Sequence, residues 1–155
     1  MSNGGQAVAE TIALTDMAAT QALGRRIAER IRVGDVVALS GGLGAGKTTL
    51  AREIIAALGH RGDVPSPSFA ILQLYDGPDL RVPVLHADFY RIDDEREVDE
   101  LGLEHYRDEA AMIAEWPENV GGFAHETTCL SVALEHGDGA RRAIVRGHAD
   151  WLERW

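Results

Sequence analysis

Residues 41 to 48 read GGLGAGKT and follow directly on the apolar run Val36 to Leu39. Gly41, Gly46, Lys47 and Thr48 meet the spacing G-x-x-x-x-G-K-[ST], which dictates a strand, a glycine-rich turn and a helix in that order. The glycines let the backbone curl so that successive N–H groups point inward at phosphate oxygens. The free amides and positive dipole end of the following helix add to that cradle. Lys47 is placed to neutralise the β- and γ-phosphates, and the Thr48 hydroxyl to ligate magnesium. The pattern therefore implies bound ATP with Mg2+, with Gly42, Leu43, Gly44, Ala45, Gly46, Lys47, Thr48 and Thr49 around the phosphates. At about 7% average glycine usage, chance yields such a match on the order of once in a few hundred chains of this length.

One loop hydroxyl does not complete a magnesium site, and a second ligand is expected from a carboxylate at the C-terminal end of a neighbouring strand. Two residues have that setting. Glu115 ends the apolar run AAMIA, and Asp88 lies near the end of VPVLHADFY. His86 stands two before Asp88 and shares its face of a strand. With no further ligands clustered nearby it is read as a structural or supporting histidine, not as part of a transition-metal site. Trp116, next to Glu115, can pack in the core or close over a nucleotide and report on its binding.

Around the turn, strands and helices alternate. Glu10 to Thr15 is expected to form a short edge strand, and Asp16 to cap a helix reaching about Arg32, with Leu23, Ile27 and Ile31 on one face. Val36 to Leu39 is a buried strand, followed by a helix from Lys47 to Leu58 that stops at Gly59. Strands are expected at Ala70 to Tyr75, Val82 to Phe89 and Ala110 to Ala114. A hairpin is expected from Thr128 to Glu135 and Arg141 to Val145 across His136 to Gly139, and a helical turn in the final WLERW. The acidic stretch DDEREVDELG is expected to open a short helix. This order predicts an α/β three-layer sandwich whose sheet is mixed, mainly parallel at its centre, with antiparallel edge strands. At 155 residues, one domain spanning 1–155 is expected.

Composition narrows the partners. The chain carries 25 acidic against 15 basic residues, a formal net charge of −10, with no basic tract longer than two residues. Such a chain is a poor candidate for gripping nucleic acid directly, because phosphate neutralisation needs a basic face. Lys47 is its only lysine, standing where a compact ammonium on a flexible stem is needed between phosphates. No stretch approaches the roughly 20 apolar residues of a membrane span. The single Cys129 lies in an apolar run, reads as a buried strand residue, and fits a reducing cytoplasm.

Taken together, GGLGAGKTT (41 to 49), VPSPSF (64 to 69), HADFYR (86 to 91), ELG (100 to 102) and AEWPE (114 to 118) resemble the TsaE (YjeE) family, small bacterial ATPases of tRNA threonylcarbamoyladenosine formation. The resemblance covers about residues 34 to 118. It implies that Thr48 and Glu115 ligate magnesium and that Asp88 is a second essential carboxylate near the γ-phosphate or attacking water. It implies further that Ser66 to Phe69 sense the γ-phosphate, that Trp116 lies beside the nucleotide, and that Lys47, Asp88 and Glu115 carry catalysis. The implied partners are TsaB and TsaD, with tRNA reached indirectly through their complex. Three positions depart from the family pattern: Gly42 where Asp is usual, Ser68 where Thr is frequent, and Phe89 where Leu is common. Two other functions compete, a small-molecule P-loop kinase and a non-catalytic nucleotide sensor. The kinase needs an acceptor pocket and an arginine-bearing lid, for which the strand-rich C-terminal third offers no obvious segment. No arginine finger can be singled out by spacing, which leaves room for one supplied in trans.

Overall fold

A computed structural model of the chain describes residues 5–65, 72–137 and 139–155. Strand β1 (Ala7–Ala13) leads into helix α1 (Met17–Arg30), then β2 (Val36–Ser40) and α2 (Lys47–Ala57). Strands β3 (Leu72–Tyr75) and β4 (Val84–Asp88) follow, then the short helices α3 (Arg96–Asp99) and α4 (Leu103–Arg107). Strand β5 (Ala111–Glu115) runs into a 3-10 turn at Pro117–Val120, and the hairpin β6 (Cys129–Gly137) and β7 (Ala140–Gly147) precedes α5 (Ala149–Arg154).

All seven strands join one sheet in the order β1-β7-β6-β2-β5-β4-β3. Its four central strands, β6, β2, β5 and β4, pair in parallel. The outer pairs β6–β7, β7–β1 and β4–β3 are antiparallel. This is the mixed α/β sheet expected from the order of elements. Successive side chains of a strand point to opposite faces, so the continuous apolar run of β2 serves two cores. Val37 and Leu39 pack with Leu50, Ile54 and Ile55 of α2 and Leu23, Ile27 and Ile31 of α1. Val36 and Ala38 face Leu85, Phe89, Leu103, Met112 and Phe123 on the other side. Each fully buried aliphatic side chain contributes about 1.5–3 kcal/mol, so the stripe Leu50, Ile54 and Ile55 clamps α2 to the sheet and fixes where its N-terminus lies.

Several boundaries differ from expectation for identifiable reasons. The edge strand runs Ala7–Ala13, not Glu10 to Thr15, because its register is set by β7 through a break between Val8 and Glu10. Asp16 caps α1 as expected, accepting the Ala19 N–H at 2.9 Å. That helix ends at Arg30, not Arg32, because the Asp35 carboxylate captures the Arg32 N–H at 2.7 Å and draws the chain out of the spiral. The acidic stretch holds the short helix α3, and a second short helix, α4, starts just after it, where Gly102 turns the chain. Glu115 belongs to β5 itself, paired beside Leu39. The expected strand start at Ala70 and Ile71, the segment Ser66 to Phe69 and the hairpin residue Asp138 lie outside the described residues.

The C-terminal helix is stapled beneath the N-terminal end of β2. Arg154 reaches the Asp35 carboxylate with both terminal nitrogens, at 2.7 and 3.0 Å, while the Trp151 indole donates to the Thr128 carbonyl at 2.9 Å. Both charged side chains are buried, and removing one partner of a buried pair costs about 3–5 kcal/mol because the other is left uncompensated. Arg154→Leu is therefore expected to lower the unfolding free energy by about that amount, measured by equilibrium urea denaturation.

Candidate functional site

At the C-terminal end of β2 the chain leaves the sheet and turns through residues 41–46 to start α2. Gly41, at φ +145°, makes the first bend; a Cβ there would lie 2.6 Å from the Leu134 carbonyl oxygen of β6. Gly46, at φ +103°, makes the last bend and stands at the N-cap of α2 without a side-chain cap. The first-turn amides of α2 are thus left without an intrahelical partner and open outward, a preformed anion site. A Cβ on Gly42 would meet nothing within 4 Å, so the position at which the TsaE resemblance expects Asp has room for one.

Lys47 is buried, and its ammonium donates to the carbonyls of Gly41 and Gly42 at 2.7 and 2.9 Å, closing the loop into a ring. The same nitrogen lies 4.2 Å from the centre of the Trp116 ring. Burial pushes the lysine below its ordinary pKa, opposed by the negative charges of Glu115, Glu118 and Asp88.

The carboxylates arrive from the two strands beside β2. Parallel pairing sets Asp88 of β4 level with Glu115 of β5, and Glu115 level with Leu39 of β2. By the two-residue alternation, Glu115 shares the face of Ala111 and Ile113, the side on which α2 lies. It reaches Thr48 in the first turn of α2, whose hydroxyl donates to Glu115 Oε1 at 2.8 Å. These two oxygens of hard-donor type fit magnesium, which binds through one or two protein ligands and fills the rest of its shell with water and phosphate oxygens. Asp88 is also buried, and its Oδ1 accepts the Tyr90 N–H at 2.9 Å.

Leaving β5, Trp116 takes a left-handed conformation at φ 58°, the only non-glycine residue to do so among the described residues. Such backbone strain costs on the order of 1–3 kcal/mol and persists only where its surroundings enforce it. Here it turns the indole toward Lys47 and against Tyr90, ring centres 4.9 Å apart. The strand exits are knitted together: Phe89 donates its N–H to the Glu115 carbonyl at 3.0 Å. The Asn119 amide donates to the carbonyls of Phe89 and Tyr90 at 3.0 and 3.2 Å. Burial holds Cys129, as expected of a core strand residue, with a thiol pushed up to about 11 and therefore unreactive.

Two clefts flank the loop. One, of about 400 Å³, is lined by Leu43, Gly44, Gly46, Lys47, Thr48 and Thr49 together with Asp88, Tyr90, Arg91, Glu115, Trp116 and Arg141. The other, of about 500 Å³, lies between residues 13–17, Thr20, Ala45, Gly46, Thr49, Leu50 and the hairpin at Leu134 and 139–141. Gly46, Thr49 and Arg141 border both. Lys47, Thr48, Asp88, Glu115 and Trp116 therefore converge as the sequence suggested. Ala45 lines the second cleft, Thr49 both, and Gly42 contributes a carbonyl to Lys47 without lining either. Sequence reasoning missed Arg141, Asn119 and the cleft beside α1. Arg141 lies about a hundred residues from the loop and reaches it only through the β6–β7 hairpin, so no spacing could have marked it.

Comparison with known proteins fits this geometry. The family model for threonylcarbamoyl adenosine biosynthesis protein TsaE matches residues 14–144. The chain belongs to the TsaE family. It is 44% identical over 142 residues to the tRNA threonylcarbamoyladenosine biosynthesis protein TsaE of Streptomyces coelicolor, a match covering 86% of this chain and 91% of the relative. It is 42% identical over 104 residues to the protein of that name from Mycobacterium leprae, covering 63% of this chain and 65% of the relative. The crystal structure of Bacillus subtilis YdiB superposes with a TM-score of 0.75 at 26% identity, covering 96% of this chain and 89% of that one. Membership places the chain in tRNA threonylcarbamoyladenosine biosynthesis. Among the described residues no helix is long and apolar enough to cross a membrane.

The loop geometry makes a contrast that unfolding experiments can read. Gly41→Ala is expected to cost about 1–3 kcal/mol through its positive φ and the facing carbonyl. Gly42→Ala, in open space, is expected to change stability by no more than about 0.5 kcal/mol. Equal effects in urea denaturation would mean that the loop does not hold this conformation in solution.

Proposed function

We propose that this TsaE-family chain binds and slowly hydrolyses Mg-ATP, and that its nucleotide cycle acts on a TsaB–TsaD assembly during tRNA modification. The observation that carries the reading is the 2.8 Å contact between the Thr48 hydroxyl and Glu115, beside a buried lysine that is held by the carbonyls of Gly41 and Gly42 and lines the same cleft. Loop amides and Lys47 bind the β- and γ-phosphates. Thr48 and Glu115 are the residues that would hold magnesium, which when bound supplies neutralisation of phosphate charge and orients the γ-phosphoryl group. The cleft between α1 and the β6–β7 hairpin is continuous with the cradle at Gly46 and Thr49, and is of a size to take the nucleoside.

Asp88 lines the phosphate cleft together with Thr48 and Glu115, where a buried carboxylate can accept a hydrogen bond from an attacking water. Its bond from the Tyr90 amide fixes the orientation of the group. Arg141, bordering both clefts, is positioned to meet the nucleotide where nucleoside and phosphates join. The acidic balance of the chain supports indirect contact with tRNA, through partner proteins, over a direct grip.

Phosphate release measured with and without TsaB and TsaD tests the proposal. Low turnover alone and a rise with the partners are expected. Phosphoryl transfer to an added small acceptor would instead indicate a kinase, and tight ATP binding with no turnover under either condition would indicate a sensor. Lys47→Ala and Glu115→Ala should each abolish turnover; wild-type hydrolysis in Glu115→Ala would remove that carboxylate from the magnesium site. Arg141→Ala is expected to weaken ATP binding roughly tenfold, the scale of one hydrogen bond to a charged group, read by calorimetry or by Trp116 fluorescence.

A further inference from the structure

His86 lies in the middle of β4 with no exposed surface, level with Ile113 of β5 on one side and Gln73 of β3 on the other. It shares its face of β4 with Val84 and Asp88, so it stands one step below the carboxylate layer. Its Nε2 is 2.6 Å from Glu115 Oε2, while Glu115 Oε1 takes the Thr48 hydroxyl. Each oxygen of Glu115 therefore has its own partner, an imidazole beneath and a threonine above. A carboxylate oxygen accepts hydrogen bonds, so in this contact Nε2 is the donor, and the second ring nitrogen is Nδ1. Among the described residues that Nδ1 is buried without a partner. A residue needed only to fill this apolar layer would avoid such a cost, which for an orphaned buried polar atom is about 1–3 kcal/mol.

The electrostatics explain what the histidine is for. Glu115 is the first of the negative groups acting on Lys47, yet among the described residues the two form no ion pair. A glutamate free to rotate in this dry layer would be drawn onto the ammonium, removing both from the phosphate cleft. We propose that His86 is a positioning residue: by donating Nε2–H to Oε2 it fixes the plane of the Glu115 carboxylate, keeps it off Lys47 and presents Oε1 at the Thr48 side. This rests on the reading of Thr48 and Glu115 as the magnesium-side pair. Partners of this kind, acting through a ligand without touching the metal, typically change metal affinity 10–100-fold.

The experiment is calorimetric titration of the full chain with ATP, once with magnesium and once with EDTA, for wild type, His86→Leu and His86→Gln. In wild type magnesium should tighten ATP binding. In His86→Leu that gain should fall by roughly tenfold or more while the affinity in EDTA stays unchanged, and His86→Gln, whose amide can donate to Oε2, should restore most of it. A full magnesium gain in His86→Leu overturns the proposal, and so does an equal loss of affinity with and without magnesium, which would mark His86 as a packing residue. If wild type itself has no magnesium gain, the assignment of Thr48 and Glu115 fails first and the role of His86 falls with it. Should His86→Leu not fold, imidazole nitrogen NMR of wild type decides. A protonated Nε2 that shifts when Mg-ATP is added is expected; a protonated Nδ1 with a bare Nε2 overturns the proposal.

Discussion

Parallel pairing of β4, β5 and β2 in one register is the constraint on which the rest of the site depends. Residues two apart along a strand share a face, and neighbours across a parallel pair keep level with one another. Asp88, Glu115 and the exit of β2 therefore end at one height, under the N-terminus of α2. A slip of one residue in β5 would turn Glu115 to the opposite face of the sheet and away from Thr48. The register is held by burial on both faces, since β4 and β5 are buried at every position and each face has its own core.

Around that layer, charges are kept apart by hydrogen bonds. Lys47 is held by its own loop, Glu115 by Thr48 and His86, and Asp88 by the Tyr90 amide. Each group would otherwise be drawn to the nearest opposite charge, because attraction is stronger where water is excluded. The left-handed backbone of Trp116 belongs to the same arrangement. It sets an aromatic face over the ammonium, a neighbour that attracts the charge less strongly than a carboxylate would.

Much of this was legible in the chain itself. The phosphate loop is written in local spacing, since a loop of six residues between a strand and a helix builds its geometry from its own φ angles. Glu115 and Asp88 could be nominated as strand-end carboxylates, because apolar runs mark where buried strands end. Boundaries were harder to read where a distant partner decides them. The end of α1 depends on the Asp35 carboxylate, and the start of β1 on its register with β7. Neither is encoded in the periodicity of the segment.

Sequence alone determined the glycine-rich loop, the lysine within it, the two-sided burial of the central strands and, through the TsaE motifs, the family. Those features depend on residues close together in the chain, where spacing and chemistry are the same information. Only the tertiary structure brought the Thr48 hydroxyl directly onto Glu115, set His86 beneath that carboxylate, tied the two strand exits together through Asn119 and carried Arg141 to the loop. Those contacts join residues 29 to about 100 positions apart, and their geometry is set by sheet order and register, which no local pattern specifies.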